Sequence, residues 1–317
     1  MTESADETGL FGAARSSPQG EAVLTAKMQL AALLRGTNLR SLTAEALRVE
    51  LLKLLEGYQI QSIPYNYQQV WHRARVVEKG DCYSSLDQLI YPASGNRTYG
   101  RANLPGSSVM YGSWNVPTAA DEINAEVGDI VQTITFRTIP GAQVNCYSIG
   151  NYRSFYDRGF CLFKHPPMFA AIQQLSETQP DAFMVSVFID LVLSEIFGRI
   201  NAAGYDNKLS AVYCELLMKD GGFVYPSVKN PAAMNIAISS SLFGSSFEVL
   251  TTEVARVEMV WGYGLYGIQV LRRCCDFDAV GNINWASTRR RIVRWSERIG
   301  WQFDASPGWR VAPKDNA

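Results

Sequence analysis

The sequence predicts a mixed α+β (α/β) fold. Two leucine-rich segments with helical spacing come first, β-type runs dominate residues 70–139, and a helical stretch over 166–220 gives way to strands again. Strands and helices interleave without a regular βαβ repeat. With 317 residues, 47% hydrophobic and 19% charged, the chain holds ample apolar material for a core. Its length suits one large domain or two modest ones.

Residues 1–20 are polar and acidic, and the expectation is a disordered tail. A helix is expected over Glu21–Arg35, with Leu24, Met28 and Leu34 among its apolar residues. Thr43 reads as the N-cap of a second helix, with Leu47, Leu51, Leu54 and Leu55 on one face and Gly57 just past the end. Pro64 and Tyr65 close this N-terminal helical segment, 21–66. Strands are expected over Val70–Val77, Val109–Ser113 and Ile130–Thr138, with a long Pro/Gly/Asn-rich loop from Tyr91 to Gly106. Thr118 reads as a helix N-cap, which puts Asp121 and Glu122 in a first turn. Helices over 166–220 include the apolar run Phe183–Ile200 and a segment around Leu209–Met218. Gly221-Gly222 is expected to break the pattern before a strand through Ser227. Later strands are expected at Asn235–Leu242 and Val254–Val260. The core is placed at 67–250, and 251–317 completes the same domain.

Charge narrows the function. Twenty-nine basic and 30 acidic side chains leave a net charge of -1, which argues against general nucleic-acid binding and against a polybasic membrane anchor. The Arg289–Arg291 run, with Arg294 and Arg298, is read as a solvated helix face. Phe183–Ile200 is short for a membrane span and carries Asp190, Glu195 and Arg199. Without a basic, apolar leader, the expectation is a cytoplasmic protein. Cys82, Cys146, Cys161, Cys214, Cys274 and Cys275 form no CxxC pair, and only His72 and His165 are present, so no metal site is expected. His165, before two prolines, is read as structural.

No phosphate-binding GxxxxGK[ST], HExxH, GxSxG or GxGxxG occurs. What remains is a constellation: Trp71-His72-Arg73-Ala74-Arg75; Gly100-Arg101-Ala102-Asn103-Leu104-Pro105-Gly106; Met110-Tyr111-Gly112-Ser113; Thr118-Ala119-Ala120-Asp121-Glu122; and Gly222-Phe223-Val224-Tyr225-Pro226-Ser227. Taken singly, each residue has a plain structural reading. Arg73 fits an exposed strand position, Glu122 a helix terminus, Ser227 a turn, and Tyr111 and Tyr225 a core.

In this order, over roughly residues 70–240, the series resembles the RES domain, named for its arginine, glutamate and serine. Arg73 matches that family's YRAR-like strand, although His72 stands where an aromatic is usual. Arg101, Asn103 and Gly106 match its GRxNxxG loop. Tyr111 and Ser113 match its LYxS strand, Thr118 and Glu122 its TAxxE helix, and Tyr225, Pro226 and Ser227 its GxxYPS element. The resemblance implies an ADP-ribosyltransferase-like core of twisted sheets with flanking helices. It implies a toxin that cleaves the nicotinamide–ribose bond of NAD, with phosphate or water as acceptor, neutralised by an Xre-type antitoxin. A protein ADP-ribosyltransferase and a non-catalytic interaction module are the alternatives. Self-association stays open.

The residue types suit that chemistry. Losing nicotinamide builds oxocarbenium character on the ribose, which a carboxylate such as Glu122 stabilises. Guanidinium groups grip a pyrophosphate bidentately, and Arg73 and Arg101 are the candidates. Ser227 offers a hydroxyl to orient the ribose or nicotinamide, completing a catalytic set of Arg73, Glu122 and Ser227. Tyr111 and Tyr225 offer a flat face for the ring, and Asn103 joins the NAD-binding set.

Overall fold

Helix α1 (Pro18–Gly36) begins at a proline within the expected tail, whose fixed φ suits a helix start, so the helix takes in the last residues expected to be disordered. The computed structural model describes residues 17–36, 41–60, 62–65, 70–77, 82–91, 95, 97–162, 165–198, 207–218, 221–230, 233–262, 265–285, 294–296, 301–303 and 309–311. Most of the expected tail therefore lies outside the described residues.

The chain divides into two units, Met1–Gln61 with Gly150–Leu193, and Ser62–Ile149 with Ser194–Ala317. The first is helical. Its α2 (Ala44–Leu55) is capped by Thr43, whose hydroxyl accepts from the Ala46 N–H at 3.1 Å. Leu47, Leu51 and Leu54 are fully buried on one face, and Gly57 ends the element at φ +80°. Helix α4 (Asn151–Arg158) follows Gly150; α5 (Pro166–Thr178) and α6 (Pro180–Gly198) come next. His165 caps α5, its Nδ1 accepting from the Met168 N–H at 3.3 Å, which gives it the structural role expected.

The second unit is built on one mixed sheet, and the fold class is α+β. Its strands are β1 (Ser62–Tyr65), β2 (Trp71–Val76), β3 (Val109–Ser113), β4 (Ile130–Thr138), β5 (Val144–Ser148), β6 (Gly221–Pro226), β7 (Met234–Ser239), β8 (Phe247–Gly262) and β9 (Leu265–Cys274). Three short strands follow, β10 (Arg294–Ser296), β11 (Trp301–Phe303) and β12 (Trp309–Val311). The spatial order is β1-β5-β6-β7-β3-β2-β4-β8-β9-β10-β11-β12. Every described pairing is antiparallel except β5–β6. Helix α3 (Val116–Glu122) lies on one face, where Ala120 joins Val131, Ala255, Val257 and Ile268 in a buried cluster. Helix α7 (Asn207–Leu217) precedes β6, and α8 (Ser240–Ser246) packs Phe243 against Phe136 and Phe247.

Several expectations need correction. Thr118 is not an N-cap. Asn115 takes that role, its side chain accepting from the Thr118 N–H at 2.8 Å, because Pro117 suits the first turn that follows. Glu122 is accordingly the last residue of α3, at the negative end of the helix. Gly221-Gly222 opens β6 rather than breaking the chain, since a Cβ at Gly221 would collide with the Asn145 carbonyl of the parallel neighbour. The strand expected over Asn235–Leu242 stops at Ser239, whose hydroxyl caps α8 at the Leu242 N–H, 3.3 Å away. Val254–Val260 is the middle of the longer β8, hairpin-paired with β9. Arg294 lies in a strand, not on a helix. Arg289–Arg291 and Arg298 lie outside the described residues. Among the described residues no helix is long and apolar enough to cross a membrane.

Candidate active site

β2 and β3 meet at one register pair only, His72↔Ser113, whereas β2 runs along β4 for its whole length. Where the ladder ends, Arg73 takes over. Its Nε donates to the Leu89 carbonyl at 2.9 Å and its Nη1 to the Tyr111 carbonyl at 3.3 Å. A β3 carbonyl without a strand partner thereby finds a donor, and the guanidinium is held by its own backbone surroundings. A cavity of about 270 Å³ opens beside it, lined among others by Arg73, Arg101, Tyr111, Glu122, Tyr225 and Asn235.

Glu122 is held at one of its two oxygens. Its Oε1 accepts from the Ser227 hydroxyl and from Asn235 Nδ2, both at 2.7 Å. Asn235 is oriented in turn by the Ser113 hydroxyl, which donates to its Oδ1 at 2.7 Å, so the amide presents its NH₂ to the carboxylate. Ser227 is fixed from the other side. Its Oγ accepts from the Asn230 N–H at 3.1 Å, and its own N–H donates to the Ala233 carbonyl at 2.9 Å. Asn230 reaches across to Thr118 Oγ1 at 3.1 Å, tying the turn after β6 to α3. Asn124, at φ +52°, ends the helix immediately beyond Glu122, a conformation asparagine tolerates. Glu122 Oε2 has no hydrogen-bond partner among the described residues and belongs to a side chain that lines the cavity.

Arg73, Arg101 and Glu122 line the same cavity, and among the described residues no ion pair joins either arginine to the carboxylate. Burial, with Arg75 nearby, lowers the Arg73 pKa to about 10, so it stays cationic at neutral pH. Burial lowers His72 to about 4, so the imidazole is neutral; its Nδ1 lies 3.1 Å from Thr135 Oγ1.

The expected residues divide by role. Arg73, Arg101, Tyr111, Glu122 and Tyr225 all line the cavity. Ser227 does not, but grips Glu122. Asn103 is 2% exposed and away from the lining, where it staples the loop: Nδ2 donates to the Thr98 and Leu104 carbonyls, and Oδ1 accepts from Tyr111 OH at 2.9 Å. Tyr111 OH also accepts from the Ala102 N–H at 2.8 Å, so this tyrosine holds the strand and loop that carry Arg101. Gly100 leaves room for that staple, since a Cβ there would collide with Asn103 Oδ1. Tyr225 is buried, its ring 5.3 Å from Phe197 and tilted 49°. Asn235 and Asn207 were missed from the sequence. For Asn235 the signal was a single amide in the apolar run Met234–Ile238. For Asn207, at the start of α7, there was none.

No protein-family model matches the chain, and no curated protein sequence matches it either.

Proposed function

We propose that the cavity binds NAD and that the protein cleaves its nicotinamide–ribose bond, transferring ADP-ribose to phosphate or water. The observation that carries the reading is Glu122: one carboxylate oxygen pinned by Ser227 and Asn235, the other open to a cavity that two arginines share. The ordered motifs through Arg73, Glu122 and Ser227 support it from the sequence side.

The cavity's 270 Å³ suits the nicotinamide riboside half of the dinucleotide, with the remainder reaching outward past Arg101. Arg73 and Arg101 supply guanidinium donors for the pyrophosphate. As the C1′–N bond breaks, its electron pair goes to the pyridinium nitrogen and neutral nicotinamide leaves. The ribose becomes oxocarbenium-like, and the fixed charge of Glu122 stabilises it without reorganising, since two donors already hold the group. An acceptor oxygen bonds to C1′ and loses its proton. Ser227 has its hydroxyl hydrogen on Glu122 and takes no place in the cavity lining, so it positions the carboxylate.

Phosphate is the favoured acceptor, because the two arginines offer more donors than one pyrophosphate takes. The resemblance also brings an Xre-type protein as the partner that blocks the cavity. Mass spectrometry of NAD incubated with the protein tests the reading. The expected products are nicotinamide with a phosphorylated ADP-ribose when phosphate is present, and ADP-ribose without it. NAD left intact under both conditions by the folded protein overturns the reading.

A further inference from the structure

A second cavity, of about 180 Å³, lies on the same sheet face as the first, and His72 lines both. Its roof is the start of α3, with Val116 and Pro117. Its floor is the strands beneath, with Val131, Ala255, Ile268 and Val270. Helix above and sheet below make it a slot between apolar walls. Polar side chains interrupt the apolar lining: His72 and Thr135 bond to each other and Tyr266 bonds to Asp121, while Thr133 and Glu253 stand beside Arg273. Thr133 is 3% exposed, yet its hydroxyl has no hydrogen-bond partner among the described residues. That hydroxyl reaches the cavity surface, where it is available to a polar atom placed there. Glu253, Thr133's cross-strand neighbour, brings a carboxylate to the same wall, and Arg273 holds it at 3.1 Å from the more exposed side.

We propose that this slot is a second ligand site, which takes one aromatic ring bearing a hydroxyl or amine donor. Its volume lies below the ~300 Å³ at which drug-sized pockets begin, so one ring with a short substituent fills it. Apolar walls on two sides select a flat body. The donor on the ring bonds to the Glu253 carboxylate, and its oxygen or nitrogen accepts from the Thr133 hydroxyl. Nothing in this assignment depends on NAD chemistry in the first cavity.

Phenol and toluene are the probes, equal in shape and different in the donor. Titrated into the protein with labelled methyl groups, phenol is expected to shift Val131, Ile268 and Thr133 saturably and to bind at least about fivefold tighter than toluene, the worth of one net hydrogen bond. A purely apolar cavity gives the opposite order, because phenol would lose its water partners for nothing. Thr133→Val, which keeps the shape, is expected to weaken phenol about fivefold and leave toluene unchanged. Ala255→Leu fills the slot and is expected to abolish binding of both; should it fail to fold, Thr133→Val carries the test alone. Toluene binding as tightly as phenol, wild-type phenol affinity in Thr133→Val, or shifts confined to Ala74 and Ala119 in the first cavity would each overturn the proposal.

Discussion

Because both hydrogen bonds to Glu122 end on Oε1, a glutamine in its place can keep them and lose only the charge. Glu122 also ends α3, where the helix dipole disfavours an anion by a few tenths of a kcal/mol. Glu122→Gln is therefore expected to cut NAD cleavage by about 10²–10³ while its melting temperature stays level or rises. Product assays beside thermal melts check both halves, and a melting point several degrees lower would refute the bonding scheme. Ser227→Ala differs in kind. It leaves the buried Asn230 N–H without its acceptor, so about 1–3 kcal/mol of stability is expected to go along with activity. The two arginines of β2 separate in the same way. Arg75 Nη2 donates to the Ile90 carbonyl at 3.0 Å and takes no place in the cavity lining, whereas Arg73 does. Arg73→Lys is expected to raise KM for NAD at least tenfold, since an ammonium cannot present the guanidinium fork. Arg75→Lys is expected to leave KM within about twofold. Steady-state kinetics of the two variants decide, and a larger KM effect at Arg75 would sink the assignment.

At the level of elements, sequence reasoning did best where a signal is local. Thr43 and the leucines of α2 and the alternation of β4 all lie within a few residues of what they control. It failed on α3 because Asn115 and Thr118 are both good caps, and only the position of Pro117 separates them. It also missed β5 and α4. Val144–Ser148 alternates over five residues only, and α4 receives its cap from another helix altogether. Asp190, in the middle of α6, accepts from the Gly150 N–H at 2.9 Å, the Arg153 N–H at 3.0 Å and Tyr58 OH at 3.1 Å. Full burial nonetheless pushes its pKa up from 3.8 to about 6. A carboxyl with a folded pKa above its unfolded one stabilises the fold most below pH 4, and that contribution is lost as pH rises through 6. Urea unfolding is expected to show wild type losing up to ~3 kcal/mol relative to Asp190→Asn between pH 4 and 6.5, at 1.36 kcal/mol per unit. Parallel pH profiles for the two proteins would contradict this account.

Across the molecule, the mixed class was legible from interleaved periodicities, but the strand order was not. β2 lies between β3 and β4, and β1 beside β5, through pairings that no short stretch of sequence encodes. The site shows the same limit. Arg73, Glu122 and Ser227 could be grouped from the order of their motifs, while Asn235, which holds the carboxylate as closely as Ser227 does, carried no motif. Both of Glu122's donors come from beyond the β5–β6 crossover, 105 and 113 residues downstream. On the ribosome this separation becomes a delay. At ~5–20 residues per second, the strand with Asn235 follows α3 by roughly ten seconds. Throughout that interval the carboxylate has neither donor, so chains stalled before residue 227 emerges are expected to leave NAD untouched, and cleavage by such chains would contradict the assembly described. If the cavity cleaves NAD as proposed, that chemistry begins only after nearly the whole core has been synthesised.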